Sequence, residues 1–330
     1  MKNNILGALY GMAIGDAMGM PSELWGRNKV KAFFGTITEF LDGPQENDVA
    51  CNFTRGQFTD DTSQTLLILD ALIETGFVPD PQVIGRHLLA WADRLQAFDN
   101  NILGPSSKAA LLALKDGQDV TPFTSKAETN GAAMRIAPVG CLFPSAEREK
   151  LAQFVFDISR VTHSTDVAVG GAAMIAAAVS SAMEDKPWDA IMDDAIAAYH
   201  TAKSHGAETY SASLSERLEL AIEYARKLEG QDDRFLQRIY DVIGSGVITS
   251  ESVPAALAIA YYAKEPQRCS LLCANLGGDT DTIGAMATAI CGAKAGADAI
   301  DPAWRQLMDE ANGVDFEAYA DRMLAFRNQA

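Results

Sequence analysis

Four glycines, Gly7, Gly11, Gly15 and Gly19, recur every fourth residue in the apolar segment GALYGMAIGDAMG near the start of the chain. At helical spacing they form one stripe down a single helix face. A glycine inside a helix costs about 1 kcal/mol relative to alanine, so such a stripe needs a compensating gain. The available gain is close approach, because a missing Cβ lets backbones or a ligand come near. Gly284, Gly292 and Gly296 lie on a similar stripe late in the chain, with Thr288 in the gap. The spacing therefore predicts two interior helices lying near one another. A membrane dimer stripe would look similar, but Asp16 stands in the middle of the first segment.

Helical periodicity runs almost throughout. The segments 62–76, 215–230 and 253–265 place apolar residues at i, i+3, i+4 and i+7, and the first two end in Gly76 and Gly230. Only KAFFGTITEF, residues 31–40, reads as a short strand or an extended loop. No linker, charge block or low-complexity tract divides the 330 residues, of which 48% are hydrophobic, so one domain over residues 1–330 is expected. The expected fold class is all-α, a compact orthogonal packing of a dozen or more helices. The longest uncharged run, residues 167–183, is rich in Ala and Gly and short of the ~20 residues that span a bilayer. It suits a buried helix.

Lys and Arg total 27 against 44 Asp and Glu, a formal charge of −17. That balance disfavours nucleic acid and anionic membrane surfaces as partners. The five cysteines form no C-x-x-C pair and no zinc pattern, which suits core positions in a reducing compartment. The N-terminal segment lacks a signal-peptide layout, so a cytoplasmic chain is expected. Nothing in the pattern marks an oligomer interface, and a monomer is the default.

The chemistry sits in two similar constructions. FTDDTSQTLL carries Asp60 and Asp61 at a helix start, and GGDTDTIGAM carries Asp279 and Asp281 at another. Taken singly, each reads as a helix cap, since Thr and Asp cap well and acids favour the first turn. If the two ends meet, four carboxylates crowd one small volume and repel. Hard divalent cations resolve that repulsion, and the absence of accompanying His or Cys disfavours zinc and iron. Two ions bridged by shared carboxylates would clamp a substrate and activate a water.

Five blocks, GALYGMAIGDAMGMPSE (7–23), FTDDTSQTL (58–66), NGAAMRIAPVG (130–140), VTHSTDVAVGGAAM (161–174) and NLGGDTDTIGAMATAICGAKAG (275–296), resemble in order the signature blocks of the ADP-ribosylglycohydrolase family. The resemblance spans most of the chain, and the Gly-Gly-Asp-Thr-Asp-Thr core of the last block is its most specific part. It implies the fold of that family, with two Mg²⁺ or Mn²⁺ ions in a cleft. The implied ligands are Thr59, Asp60 and Asp61 on one side and Asp279, Asp281 and Thr282 on the other. Glu23 matches a family acid near the metals, and Glu23, Asp60 and Asp61 are the candidate bases. Asn130, Gly131, Met134 and Arg135 match the block beside the ligand, and His163 matches a pocket position. Arg135 suits either a phosphate or core carboxylates. The turn-rich segment 98–111 is a candidate substrate loop with contacts at Asp99 and Asn100, and Ser106 or Ser107 as a helix cap.

The implied activity is hydrolysis of the ribosyl bond in an ADP-ribosylated protein or small ADP-ribose conjugate. Ala132 and Ala133 stand where ADP-ribose-specific relatives often carry glycine. No aromatic is firmly placed to stack on adenine, and Tyr261 and Tyr262 read as core residues as readily as stacking ones. A smaller ribosyl compound, such as a nucleoside or modified ribose phosphate, is therefore the second expectation. A non-catalytic ADP-ribose-binding or structural member of the family is the third.

Overall fold

Residues 1–99 and 102–329 of a computed structural model are described, and among them are sixteen α-helices, several single turns and no β-strand. The first half carries α1 (Lys2–Gly19), α2 (Arg27–Phe34), α3 (Asp60–Glu74), α4 (Pro81–Arg94), α5 (Pro105–Lys115), α6 (Thr121–Thr124), α7 (Arg148–Ser159) and α8 (Asp166–Met183). The second carries α9 (Trp188–Ala202), α10 (Leu214–Lys227), α11 (Asp232–Arg238), α12 (Thr249–Ala263), α13 (Pro266–Ala274), α14 (Thr280–Ala295), α15 (Pro302–Asn312) and α16 (Phe316–Arg327). This all-α architecture is the one the periodicity predicts.

The two glycine stripes face each other. A Cβ on Gly7 would sit 2.1 Å from the Gly292 carbonyl oxygen, and on Gly11 2.4 Å from that of Thr288. On Gly15 it would sit 2.0 Å from the Gly284 oxygen, and on Gly19 2.3 Å from that of Thr280. Partner numbers fall by four as the stripe advances by four, so α1 and α14 run antiparallel with their backbones in contact. They form the most extensive helix pair of the molecule and are buried on all sides, from Ile5 to Gly19 and from Thr280 to Ala293. Helices α8, α12, α13, α15 and α16 pack around this pair. The register has a functional consequence: it sets the C-terminal end of α1 against the first turn of α14, so Asp16 and the segment leading to Glu23 reach Asp279–Thr282.

The apolar run 167–183 forms α8, with 89% of its residues buried inside the protein. Residues 31–40 hold no strand: residues 31–34 complete α2, and the remainder is loop. Asn275 imitates a strand partner there, accepting from the Ile37 N–H and donating to the Ile37 carbonyl with its side-chain amide. Helix α5 starts earlier than a Ser106 or Ser107 cap requires, with Gly104 at the cap and Pro105 in the first turn. Proline is favoured there because its missing N–H would be unsatisfied anyway. All five cysteines are free.

Candidate metal centre

Asp16 organises one arm of the site. Its Oδ1 accepts from the Thr59 N–H and hydroxyl, both at 2.9 Å, and its Oδ2 accepts from the Thr62 N–H at 3.0 Å and hydroxyl at 2.6 Å. A side chain from α1 thus caps α3, which leaves the carboxylates of α3 itself free of that task. Thr59 and Asp279 occupy the cap positions of α3 and α14, yet neither makes a side-chain cap hydrogen bond to its own helix. Capping therefore does not account for these residues.

The other arm is stitched to Glu23. The Leu24 N–H donates to the Gly278 carbonyl at 2.7 Å, the Gly278 N–H donates to the Trp25 carbonyl at 2.8 Å, and the Asp279 N–H donates to the Ser245 carbonyl at 2.7 Å. Gly278 has a φ of 88°, and a Cβ there would lie 2.2 Å from the Ser245 carbonyl oxygen, so only glycine fits. Leu24 takes a left-handed φ of 57°, a local strain that places Glu23 over the cleft.

Six carboxylates converge where the arms meet. Oxygens of Asp16, Asp61 and Asp281 lie within 4.8 Å of one another, as do those of Glu23, Asp279 and Asp281, so Asp281 belongs to both sets. The Thr59 hydroxyl lies 2.9 Å from Asp16, 3.2 Å from Asp61 and 3.3 Å from Asp281, and its single proton cannot serve all three. Asp61 Oδ1 and Asp281 Oδ1 are buried with no hydrogen-bond partner among the described residues. Burial, reinforced by neighbouring acids, pushes Asp60 up to about 7, and burial pushes Asp16 up to about 6. Burial together with Asp281 and Asp279 holds Glu23 well above the usual carboxylate range, and burial plus neighbouring acids does the same for Asp61 and Asp281. Buried oxygens without partners, on acids that resist ionisation, are the environment a hard divalent cation relieves. The donor set fits Mg²⁺ or Mn²⁺.

The cluster forms one end of a cleft of about 330 Å³. Glu23, Asp60, Asp61, Asp279, Asp281 and Thr282 line that end. Asn130, Gly131 and Met134 line the wall, with the Asn130 amide donating to Asp279 Oδ2 at 2.6 Å and to the Ser252 hydroxyl at 3.0 Å. A Cβ on Gly131 would lie 2.6 Å from the His163 ring, so this wall is built around a glycine. Arg135 and His163, 1% and 0% exposed, lie behind the wall rather than in it, joined through Thr162. Asp99 is exposed and apart from the cleft lining, and Asn100 lies outside the described residues. The same loop nonetheless reaches the cleft through Ile102, Leu103 and Gly104. Tyr261 and Tyr262 bond Asp189 and Asp232 and do not line it.

Sequence reasoning missed Asp16 as part of the site, and with it Gln64, Thr129, Thr162 and Ser252. For Asp16 a signal existed: an acid in a helix that has no polar face must have buried partners. For the others, spacing carries no such signal.

The profile of the family described as ADP-ribosylglycohydrolase matches residues 1–330. The chain is 50% identical to an uncharacterized protein of Escherichia coli (strain K12), YegU, covering 98% of this chain and 97% of that one. It is 25% identical to ADP-ribosylhydrolase ARH3 of Danio rerio, covering 97% and 90% of the two chains. A solved structure described as an ADP-ribosylglycohydrolase-related protein complex matches with a TM-score of 0.68 at 22% identity, covering 99% and 98%, and shows the shared fold.

Proposed function

The chain belongs to the ADP-ribosylglycohydrolase family, and from that premise we propose that it hydrolyses the ribosyl bond of an ADP-ribose conjugate using two divalent cations. The observation that carries this reading is the paired carboxylate set sharing Asp281, with two buried oxygens lacking any partner among the described residues. Asp61 and Asp281, with Thr59, would hold one Mg²⁺ or Mn²⁺ ion. Glu23, Asp279 and Asp281 would hold the other, with Asp60 and Thr282 as the remaining ligands of the pair. When bound, such ions neutralise the cluster, orient sugar hydroxyls and acidify water.

The protein's own groups supply binding and proton movement. The bond between the anomeric carbon and its acceptor breaks, a water oxygen adds to that carbon, and one water proton passes to a carboxylate. Glu23 is the best placed of Glu23, Asp60 and Asp61: it is partly exposed in the cleft lining, whereas Asp61 is only 1% exposed and Asp60, also partly exposed, has one oxygen taken by the Gln64 amide. A carboxylate there can take the proton of the attacking water and return it to the leaving acceptor. The first turn of α5 faces the same cleft through Gly104, Pro105 and Ser107. Helix N-termini favour phosphate groups, and the Ser107 hydroxyl, 4% exposed and bonded to no described residue, adds a donor there.

A second reading, a smaller ribosyl substrate, has its own support. Among the described residues the cleft lining contains no aromatic ring and no Lys or Arg, and its apolar part is aliphatic: Leu24, Val49, Ile102, Leu103, Met134 and Val247. A mass-spectrometric turnover panel separates the two. ADP-ribosyl-arginine, ADP-ribosyl-serine, O-acetyl-ADP-ribose and plain nucleosides are incubated with Mn²⁺ or Mg²⁺, and again with chelator. Metal-dependent release of ADP-ribose from one conjugate is expected. Cleavage of nucleosides alone would transfer the proposal to the smaller substrate, and no turnover of any member would refute both.

A further inference from the structure

Behind the cleft wall lies a continuous line of buried polar side chains that the reaction above does not use. Arg135, 1% exposed, donates from Nη1 to Gln64 Oε1 at 2.7 Å and from Nη2 to the Thr162 hydroxyl at 2.6 Å. Gln64 Nε2 donates to Asp60 Oδ2 at 2.8 Å. Thr162 Oγ1 lies 2.8 Å from His163 Nδ1, His163 Nε2 lies 3.0 Å from Thr129 Oγ1, and Thr129 donates to Ser106 Oγ at 2.9 Å.

The bond directions follow from the two ends of the line, Arg135 and the Thr129–Ser106 pair. A guanidinium only donates, so Gln64 must turn its carbonyl to Arg135 and its NH₂ to Asp60. Thr129 gives its single proton to Ser106, so it accepts from His163 Nε2. The neutral ring's Nδ1 then accepts from Thr162, which accepts in turn from Arg135. Reversing the Gln64 amide would set its NH₂ against the guanidinium and its oxygen against the carboxylate.

The arrangement is costly for a core. Among the described residues Arg135 makes no direct ion pair with a carboxylate, and its Nε has no partner. A buried guanidinium held only by neutral groups is less favourable than an apolar side chain of similar size. Helix α3 needs no help from it either, because Asp16 already caps that helix.

We propose that Arg135 is a positioning residue, which through Gln64 fixes the orientation of the Asp60 carboxylate at the cation site. The line through Thr162, His163 and Thr129 holds Arg135 in turn and anchors it to Ser106 in the first turn of α5. Outer groups that aim a ligand in this way set metal affinity without touching the ion. This inference rests on the reading of the carboxylate cluster as a cation site, and it gives Arg135 and His163 a role that needs no contact with substrate.

The test is Mn²⁺ titration of the full-length protein, followed by calorimetry and by the electron paramagnetic resonance spectrum of the bound ion. Gln64→Met keeps the volume of the bridge and removes both of its hydrogen bonds. Thr162→Val is isosteric and leaves Gln64 and the Arg135 charge in place. Gln64→Met is expected to weaken Mn²⁺ binding about ten-fold or more and to change the spectrum. Thr162→Val should shift both in the same direction by a smaller factor, with a cooperative melt marking it as folded. Unchanged affinity and spectrum in both variants would overturn the positioning role while leaving the cation site standing. A wild-type protein that binds no Mn²⁺ would overturn the site reading and this inference together.

Discussion

Two acids in the same cluster do opposite work, and the difference is visible in their hydrogen bonds. Asp16 accepts four, two on each oxygen, all from the first turn of α3. Asp281 has one buried oxygen with no partner and belongs to both carboxylate sets. Asp16→Asn keeps the shape but turns an NH₂ toward one pair of donors, losing two bonds and leaving two donors buried. A loss of about 2–4 kcal/mol of stability follows, read from the urea midpoint in chelator. Asp281→Asn removes one negative charge from a crowded set and breaks no protein hydrogen bond to its Oδ1. In chelator it should raise stability by about 1–2 kcal/mol. The same change is expected to abolish Mn²⁺ binding and lower kcat/KM by roughly a hundred-fold or more. If Asp281→Asn destabilises the chelated protein as Asp16→Asn does, Asp281 is a structural acid and the ligand assignment fails.

At the scale of elements, the pairing of α1 with α14 decides whether the site exists, since it alone brings Asp16 and Glu23 to Asp279 and Asp281. Gly15→Ala would drive a Cβ to 2.0 Å from the Gly284 carbonyl oxygen, and neither backbone has room to retreat inside a closed core. The expected cost is more than about 4 kcal/mol, seen as loss of the cooperative melt or of soluble protein. Gly104→Ala, at a φ of −58° with nothing within 4 Å, should change stability by less than about 0.5 kcal/mol. Comparable melts for the two variants would refute the close-packing account. This pairing was legible in the sequence because glycine at a period of four has almost no other use inside a helix. Residues 31–34 were not legible as helix, because the segment 31–40 is rich in strand-forming Phe, Thr and Ile while the first turn of α2, from Arg27, lies before it. The true start of α5 was also obscured, since Ser106 and Ser107 are stronger cap types than the Gly104 and Pro105 that precede them. The four Asp residues stood out because two segments offered the same unusual pattern. Gln64 and Arg135 did not, because nothing in linear spacing says that a glutamine on α3 faces an arginine from a distant loop.

The whole molecule carries a formal charge of −17 and gathers six carboxylates at the base of one cleft, so its stability is tied to what neutralises them. Without a cation, protons must do so. Burial raises Asp60 from 3.8 to about 7 and Asp16 from 3.8 to about 6 in the folded protein. The folded state therefore binds protons more tightly than the unfolded chain between roughly pH 4 and pH 7. The stability contributed by that protonation is complete below the unfolded value and is lost as pH rises through 6 and 7. Paired surface acids such as Glu74 and Asp233 are shifted the other way, and their contribution disappears only on acidification below this window. The chelated protein is thus expected to melt at a higher temperature at pH 5.5 than at pH 7.5. A saturating divalent cation replaces the protons, adding about 2.7 kcal/mol at a hundred times Kd. Because protons compete for the same oxygens, the melting shift produced by Mn²⁺ should be larger at pH 7.5 than at pH 5.5. The general repulsion of an acidic surface also grows with pH, so the Asp281→Asn variant supplies the discriminating comparison. Its chelated melting profile should be flatter than that of the wild type across the same range, since it removes one acid from the cluster and leaves the surface almost unchanged. Parallel profiles for the two proteins would place the pH dependence on the surface and remove the interior cluster as its cause.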